Sequence, residues 1–102
     1  MTAIDREAET RNVPLSAVLA LYRDGDERGW EAEFAFLRSE RRPHLDVLMM
    51  SIQETGIRRP ILLGPDGRVW DGHHRLAAAD ELGIESVPVQ FAAPLTTERT
   101  KQ

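Results

Sequence analysis

The sequence predicts a mixed α/β (α+β) domain, a small sheet with helices packed on it. Three observations carry this. Apolar residues recur at helical spacing in two stretches: Trp30, Phe34 and Leu37, then Leu45, Leu48, Met49 and Ile52. Two short apolar runs, Ile61-Leu62-Leu63 and Arg68-Val69-Trp70, flank Pro65-Asp66-Gly67, which is hairpin composition. A third strand-like run, Val87-Pro88-Val89-Gln90-Phe91, follows a helix-forming segment that stops at Gly83.

Met1 to Asn12 is polar, acidic and without period, and reads as a frayed terminus. Val13-Pro14-Leu15 suits an edge strand, where proline is tolerated. Ser16 reads as the N-cap of a short helix from Ala17 to Arg23. Asp24-Gly25-Asp26 breaks it. A second helix runs from about Glu27 to Ser39, with its aromatic stripe in the core rather than in base stacking. Arg38 to Pro43 is a charged connector, and Pro43 suits the first turn of the next helix. That helix ends at Gly56, and Ile57 folds back as its apolar clamp. Leu76-Ala77-Ala78-Ala79-Asp80-Glu81-Leu82 is a strong helical run closed by Gly83. Gly56 and Gly83 are both expected as C-caps with positive φ. Each precedes an isoleucine, a proline and a strand, an echo of shared local physics and not a duplication. The predicted core joins Leu48, Ile52, Ile61, Val69, Leu82, Val87 and Val89. Residues 1–12 are expected as a flexible N-terminus, 13–93 as the domain and 94–102 as a flexible tail.

Composition narrows the function classes. A chain of 102 residues has room for one domain with a modest core. Hydrophobic residues make up 41% and charged residues 29%, which is ordinary for a soluble globular protein. Cysteine is absent, which excludes disulfides and thiol chemistry. No apolar run reaches membrane-spanning length and no signal segment opens the chain, so a cytoplasmic setting is the expectation. The net charge of -4 argues against broad nonspecific DNA binding. It leaves room for a local basic patch among Arg38, Arg41, Arg42, Arg58, Arg59, Arg68 and Arg75.

The chemistry concentrates at Asp71-Gly72-His73-His74-Arg75, where a strand hands over to a helix. Helix N-termini carry unpaired N–H groups and a positive dipole end, which favour anions. Gly72 admits close backbone approach. Arg75 can hold two phosphate oxygens with its planar fork. Three cationic-capable side chains opening a helix disfavour it unless an anion offsets them, and phosphate is the obvious anion. Two other readings stand beside this one. Asp71 is equally placed to be an N-cap, with the basic side chains simply solvated. A zinc site is disfavoured, because adjacent helical histidines diverge by about 100° and His44 is the only other histidine.

From about Leu45 to Phe91 the chain resembles the ParB/sulfiredoxin superfamily, whose members are often described as ParB-like nuclease domains. The resemblance rests on a helix ending Ser51-Ile52-x-x-x-Gly56, then Pro60-Ile61, a hairpin, Asp71-Gly72-His73-His74-Arg75, an Ala-rich helix and Val87-Pro88-Val89. The five-residue motif is most similar to the free-serine-kinase and phage ParB-like branches. The resemblance implies a ParB/sulfiredoxin-like fold and a nucleotide-phosphate pocket contacted by Gly72, His73, His74 and Arg75, with Arg59 at its border. It implies a nucleoside di- or triphosphate ligand such as CTP, ATP or ADP, with Mg²⁺ bridged to phosphates by Asp71. Asp71, His73 and His74 are the catalytic candidates. His73 stands where sulfiredoxins carry their cysteine nucleophile, so sulfinate repair is excluded. The chain shows no helix-turn-helix after its last strand, which weighs against direct DNA binding without another domain. Glu40 and Asp46 do not match the acidic residue of free serine kinases.

The function expected on these grounds is nucleotide-phosphate binding, with NTPase, phosphotransfer or weak nuclease activity open. The alternative is a non-catalytic phage- or plasmid-type regulatory protein that binds a protein or DNA partner. A homodimer is a further expectation, since small domains often cover an apolar face by pairing.

Overall fold

The computed structural model describes residues 9–25 and 27–92. The expectation for the tail falls outside them, and of residues 1–12 only 9–12 are described.

The elements are β1 (Arg11–Pro14), α1 (Leu15–Leu21), α2 (Trp30–Glu40), α3 (Arg42–Thr55), β2 (Ile61–Leu63), β3 (Val69–Asp71), α4 (His73–Leu82) and β4 (Ser86–Phe91). The sheet order is β1-β4-β2-β3. β1 and β4 are antiparallel, β4 and β2 parallel, β2 and β3 antiparallel. The fold is mixed α+β, four helices on a four-stranded mixed sheet.

β1 lies at the edge, but it starts at Arg11, ahead of the expected Val13. Pairing from Arg11↔Val89 to Pro14↔Ser86 extends it through polar residues that carry no apolar alternation. The expected Ser16 cap is also displaced. Pro14, at φ -61 and ψ 138, precedes the first helical residue, and Ser16 is exposed inside the helix. The Leu15 N–H donates to the Glu85 carbonyl at 2.7 Å, so tertiary pairing and not a hydroxyl fixes this helix start.

α2 begins three residues later than expected. The buried Asp24 carboxylate accepts from the backbone N–H of Arg28 and of Gly29, each at 3.2 Å, and holds the chain in a turn up to Trp30. The charged connector from Arg38 to Pro43 collapses to Arg41 alone, because both helices extend through it. Pro43 does lie in the first turn of α3. Gly56 and Gly83 both end helices at positive φ, 79° and 74°.

The core runs between sheet and helices. Ile52, Ile61, Val69, Val87 and Val89 are buried as expected, joined by Leu15, Val18, Phe34, Leu37, Leu45, Leu63 and Leu76. Leu48 and Leu82 are only partly buried and pack against this cluster. α4 is the central helix, touching α1, α2, α3 and β2. Leu76, Ala77, Ala78 and Ala79 are all fully buried, a consecutive run that uses every face of the helix. Alanine suits this place because it favours helix and lets neighbouring backbones approach. Arg42, paired within α3 to Asp46 at 2.6 Å, ties that helix to α4 through Glu81 at 3.2 Å. No described helix is long and apolar enough to cross a membrane.

Candidate functional site

β3 ends at Asp71 and α4 begins at His73, so the corner is a single residue. Gly72 makes it at φ 118 and ψ 16. A Cβ there would lie 2.8 Å from Ile61 Cδ1 and 3.3 Å from Ile61 Cα. Glycine is therefore required by the packing of the corner on β2, apart from any ligand. The capping role expected as one reading of Asp71 is not seen. No side chain caps α4, and Gly72 holds the N-cap position. The Asp71 carboxylate turns to arginines instead, at 3.2 Å from Arg75 Nη2 and 3.7 Å from Arg59 Nη2. The strand register shifts between Leu62 and Leu63, opposite this end of β3, an irregularity of the kind that re-aims side chains.

Arg75 is mostly buried, its side chain 12% exposed. Its Nη1 donates to the Arg59 carbonyl at 2.8 Å and the Pro60 carbonyl at 2.7 Å. With Nη2 against Asp71, the fork fastens the entry of β2 to the start of α4. Backbone carbonyls thus take one prong of the fork and the Asp71 carboxylate the other.

His73 turns towards α2. Its Nε2 accepts from the Gly25 backbone N–H at 3.3 Å, and its Nδ1 lies 3.7 Å from Glu33 Oε2. Its ring meets Trp30 edge-on at 5.5 Å between centroids. Accepting from Gly25 requires an unprotonated Nε2, which leaves Nδ1 to face the glutamate. Glu33 is 3% exposed and also lies 3.5 Å from Arg28 Nε.

His74 turns towards α3, where its ring sits 4.7 Å from that of His44 at a tilt of 52°. Its Nε2 is buried and has no hydrogen-bond partner among the described residues. Burial holds its pKa below the ordinary histidine value, and electrostatic repulsion from His44, Arg41, His73 and Arg75 pushes the same way.

These side chains border one cleft of about 840 Å³, within the usual size range for small-molecule sites. Its wall from α3 carries His44, Leu48, Ser51 and Ile52, and its rim carries Arg58 and Arg59. Every site residue named from the sequence, Arg59, Asp71, Gly72, His73, His74 and Arg75, lines it. Sequence reasoning missed Glu33 and His44. Glu33 had a signal: it falls at i+3 in the stripe of Trp30, Phe34 and Leu37, a carboxylate on an apolar face. His44 had none. Asp46 is spent on Arg42. No three His, Asp or Glu side chains converge as a metal cluster among the described residues. Asp71 is shared between two arginines.

The chain is 36% identical over 55 residues to the ParB-like nuclease domain-containing protein YnaK of Escherichia coli strain K12, a match spanning 54% of this chain and 63% of that protein. Among solved structures, sulfiredoxin from Arabidopsis thaliana superposes with a TM-score of 0.60 at 22% identity, covering 84% of this chain and 86% of that one. The C-terminally truncated chromosome-partitioning protein ParB from Caulobacter crescentus, complexed with CTP-gamma-S, superposes at 0.59 with 25% identity, covering 84% of this chain. The fold is the one seen in sulfiredoxin and in ParB. No family model matches the sequence. The match spans less than two thirds of the Escherichia coli protein and 45% of the Caulobacter ParB chain, so what is shared is a ParB/sulfiredoxin-type domain and not either whole protein.

Proposed function

We propose that this chain is a nucleotide-phosphate-binding domain of ParB type, taking a nucleoside di- or triphosphate in the cleft at the start of α4. The observation that carries this is the cleft itself. In a chain of net charge -4, it gathers His44, Arg58, Arg59, His73, His74 and Arg75 at an uncapped helix N-terminus. The ParB relative complexed with CTP-gamma-S supports a nucleotide as the ligand.

The division of labour follows from the contacts. The backbone of α4's first turn and the exposed Arg59, its side chain 78% accessible, meet phosphate oxygens. Arg75 acts chiefly as a positioning residue, holding the segment that carries Arg59. If nucleotide turns over, by hydrolysis or by transfer to an acceptor, Glu33 is the buried carboxylate placed to move a proton through the cleft wall. Direct nuclease action draws less support, because no three His, Asp or Glu side chains converge to hold a metal-bound water among the described residues.

A thermal-shift panel with CTP, ATP, ADP, GTP and inorganic phosphate, each with and without Mg²⁺, tests the reading. A ligand at a hundred times its Kd contributes about 2.7 kcal/mol to stability, a clear rise in Tm. If none of these raises Tm at millimolar concentration, the phosphate reading is wrong and the regulatory-protein alternative replaces it.

A further inference from the structure

We propose that His44 and His74 form one subsite for the ligand's phosphate group, in which His44 contacts the ligand and the pair takes up a proton as phosphate enters. This inference rests on the phosphate reading and deepens it. It starts from geometry. The two rings, brought from the starts of different helices, sit 4.7 Å apart, and both line the cleft. His44 is exposed at the first turn of α3, while His74 Nε2 is shut away without a partner among the described residues. A buried imidazole nitrogen without a hydrogen bond is costly.

The surroundings disfavour a proton on His74 before the ligand arrives. From the α3 side His74 faces His44 and Arg41, and along α4 it faces His73 and Arg75. Asp71 on β3 is the nearby acid, and it is occupied by Arg75 and Arg59. Glu33 on α2 is occupied with His73 and Arg28. The α3–β2 loop adds Arg58 and Arg59 to the rim. A further positive charge on the pair is opposed on every side. A phosphate dianion entering the cleft reverses that field, and the pair becomes the group best placed to accept a proton. By linkage, acid then favours binding.

The experiment uses the full chain, wild type and H44Q, with inorganic tripolyphosphate and CTP as probes. Isothermal titration at pH 6 and pH 8, in buffers of different ionisation enthalpy, reads both Kd and protons taken up. The ligand's own ionisation is common to both proteins and cancels in their difference. The expected result is more proton uptake by the wild type than by H44Q. Its affinity should also rise more steeply towards acid, by up to about tenfold per pH unit, the limit for one linked proton. In the free proteins, NMR titration of His74 should move up towards the ordinary histidine range in H44Q, because His44 no longer opposes its charge. Equal uptake and equal pH slopes in the two proteins, or a His74 titration that H44Q does not move, overturn the proposal while leaving phosphate binding intact. If the wild type binds neither probe at millimolar concentration at either pH, the phosphate reading itself falls, and this inference with it.

Discussion

His73 and His74 are adjacent in the chain, and their surroundings are opposite. His73 is fixed on three sides, by the Gly25 N–H, by Glu33 and by the edge of Trp30. His74 has a second histidine across from it and a buried nitrogen without a partner among the described residues. The α2 side of the cleft is thus a closed polar network, and the α3 side is an open one. Helical geometry enforces the split, since consecutive side chains point about 100° apart. The difference teaches which histidine is committed to the scaffold and which keeps a ring nitrogen without a partner among the described residues. Basic residues in one short motif need not share one task.

Substitutions can break or sharpen that contrast. The largest effect should come from the corner on which both sides depend. Gly72→Ala places a Cβ against Ile61 and forces an L-residue to φ 118. Backbone strain and overpacking together should cost roughly 2–5 kcal/mol, read as a lower urea midpoint. Gly83→Ala is the control. It shares positive φ but meets nothing within 4 Å, so a loss near 1 kcal/mol is expected. Equal losses at the two glycines would show that the corner is not tightly packed.

Next in size is Arg75→Ala, which leaves the Arg59 and Pro60 carbonyls without their donor. Stability should fall by about 2–3 kcal/mol. Nucleotide affinity should fall as well, because Arg59 loses its support. Arg75→Lys should recover only part of either, since one ammonium cannot span two carbonyls and a carboxylate as the fork does. A variant as stable as wild type in chemical denaturation would refute the anchoring role.

The third test compares the two sides directly. Glu33→Gln and His73→Asn disturb the closed network and should each cost about 1–3 kcal/mol of stability. His74→Asn should stay within about 0.5 kcal/mol of wild type, as at sites without committed partners, and yet weaken nucleotide binding. If His74→Asn destabilises as much as His73→Asn, the division between scaffold and ligand side is wrong.

The smallest effect is the pH dependence of His74. Its folded-state pKa is held below the unfolded value of about 6.5. In the window between the two, the unfolded chain binds more protons, so stability rises with pH there. The contribution is fully present above about pH 6.5 and is lost as pH falls towards the folded value. Urea midpoints measured from pH 5 to pH 8 should therefore drop more on the acid side for wild type than for His74→Asn. Saturating phosphate ligand should narrow the difference, because it favours the charged form.

Much of the fold is legible in local spacing. The stripe of Leu45, Leu48, Met49 and Ile52 gave α3, and the runs either side of Pro65-Asp66-Gly67 gave the hairpin. The errors were at boundaries, where a partner outside the segment decides. Leu15 starts a helix because Glu85 receives its N–H, and α2 waits until Trp30 because Asp24 holds the turn before it. Leu48 was expected in the core and instead borders the cleft, since its helix face opens where β2 is entered. At the site, the motif residues do line one cleft, but their assignments shifted. Arg75 is committed to carbonyls, and Asp71 is an ion-pair partner where a cap was one expectation.

By itself the sequence determined the order of elements, the glycine-marked helix ends and the concentration of basic chemistry at Asp71 to Arg75. These follow from periodicity, turn residues and composition, which act over a few neighbouring positions. Only the tertiary structure decided the pairings: His44 with His74, Glu33 with His73, and Arg75 with the carbonyls of Arg59 and Pro60. Those contacts join different elements of the chain. Their energies depend on distance, burial and the direction of each side chain, and residue spacing along a single chain encodes none of these for partners so far apart.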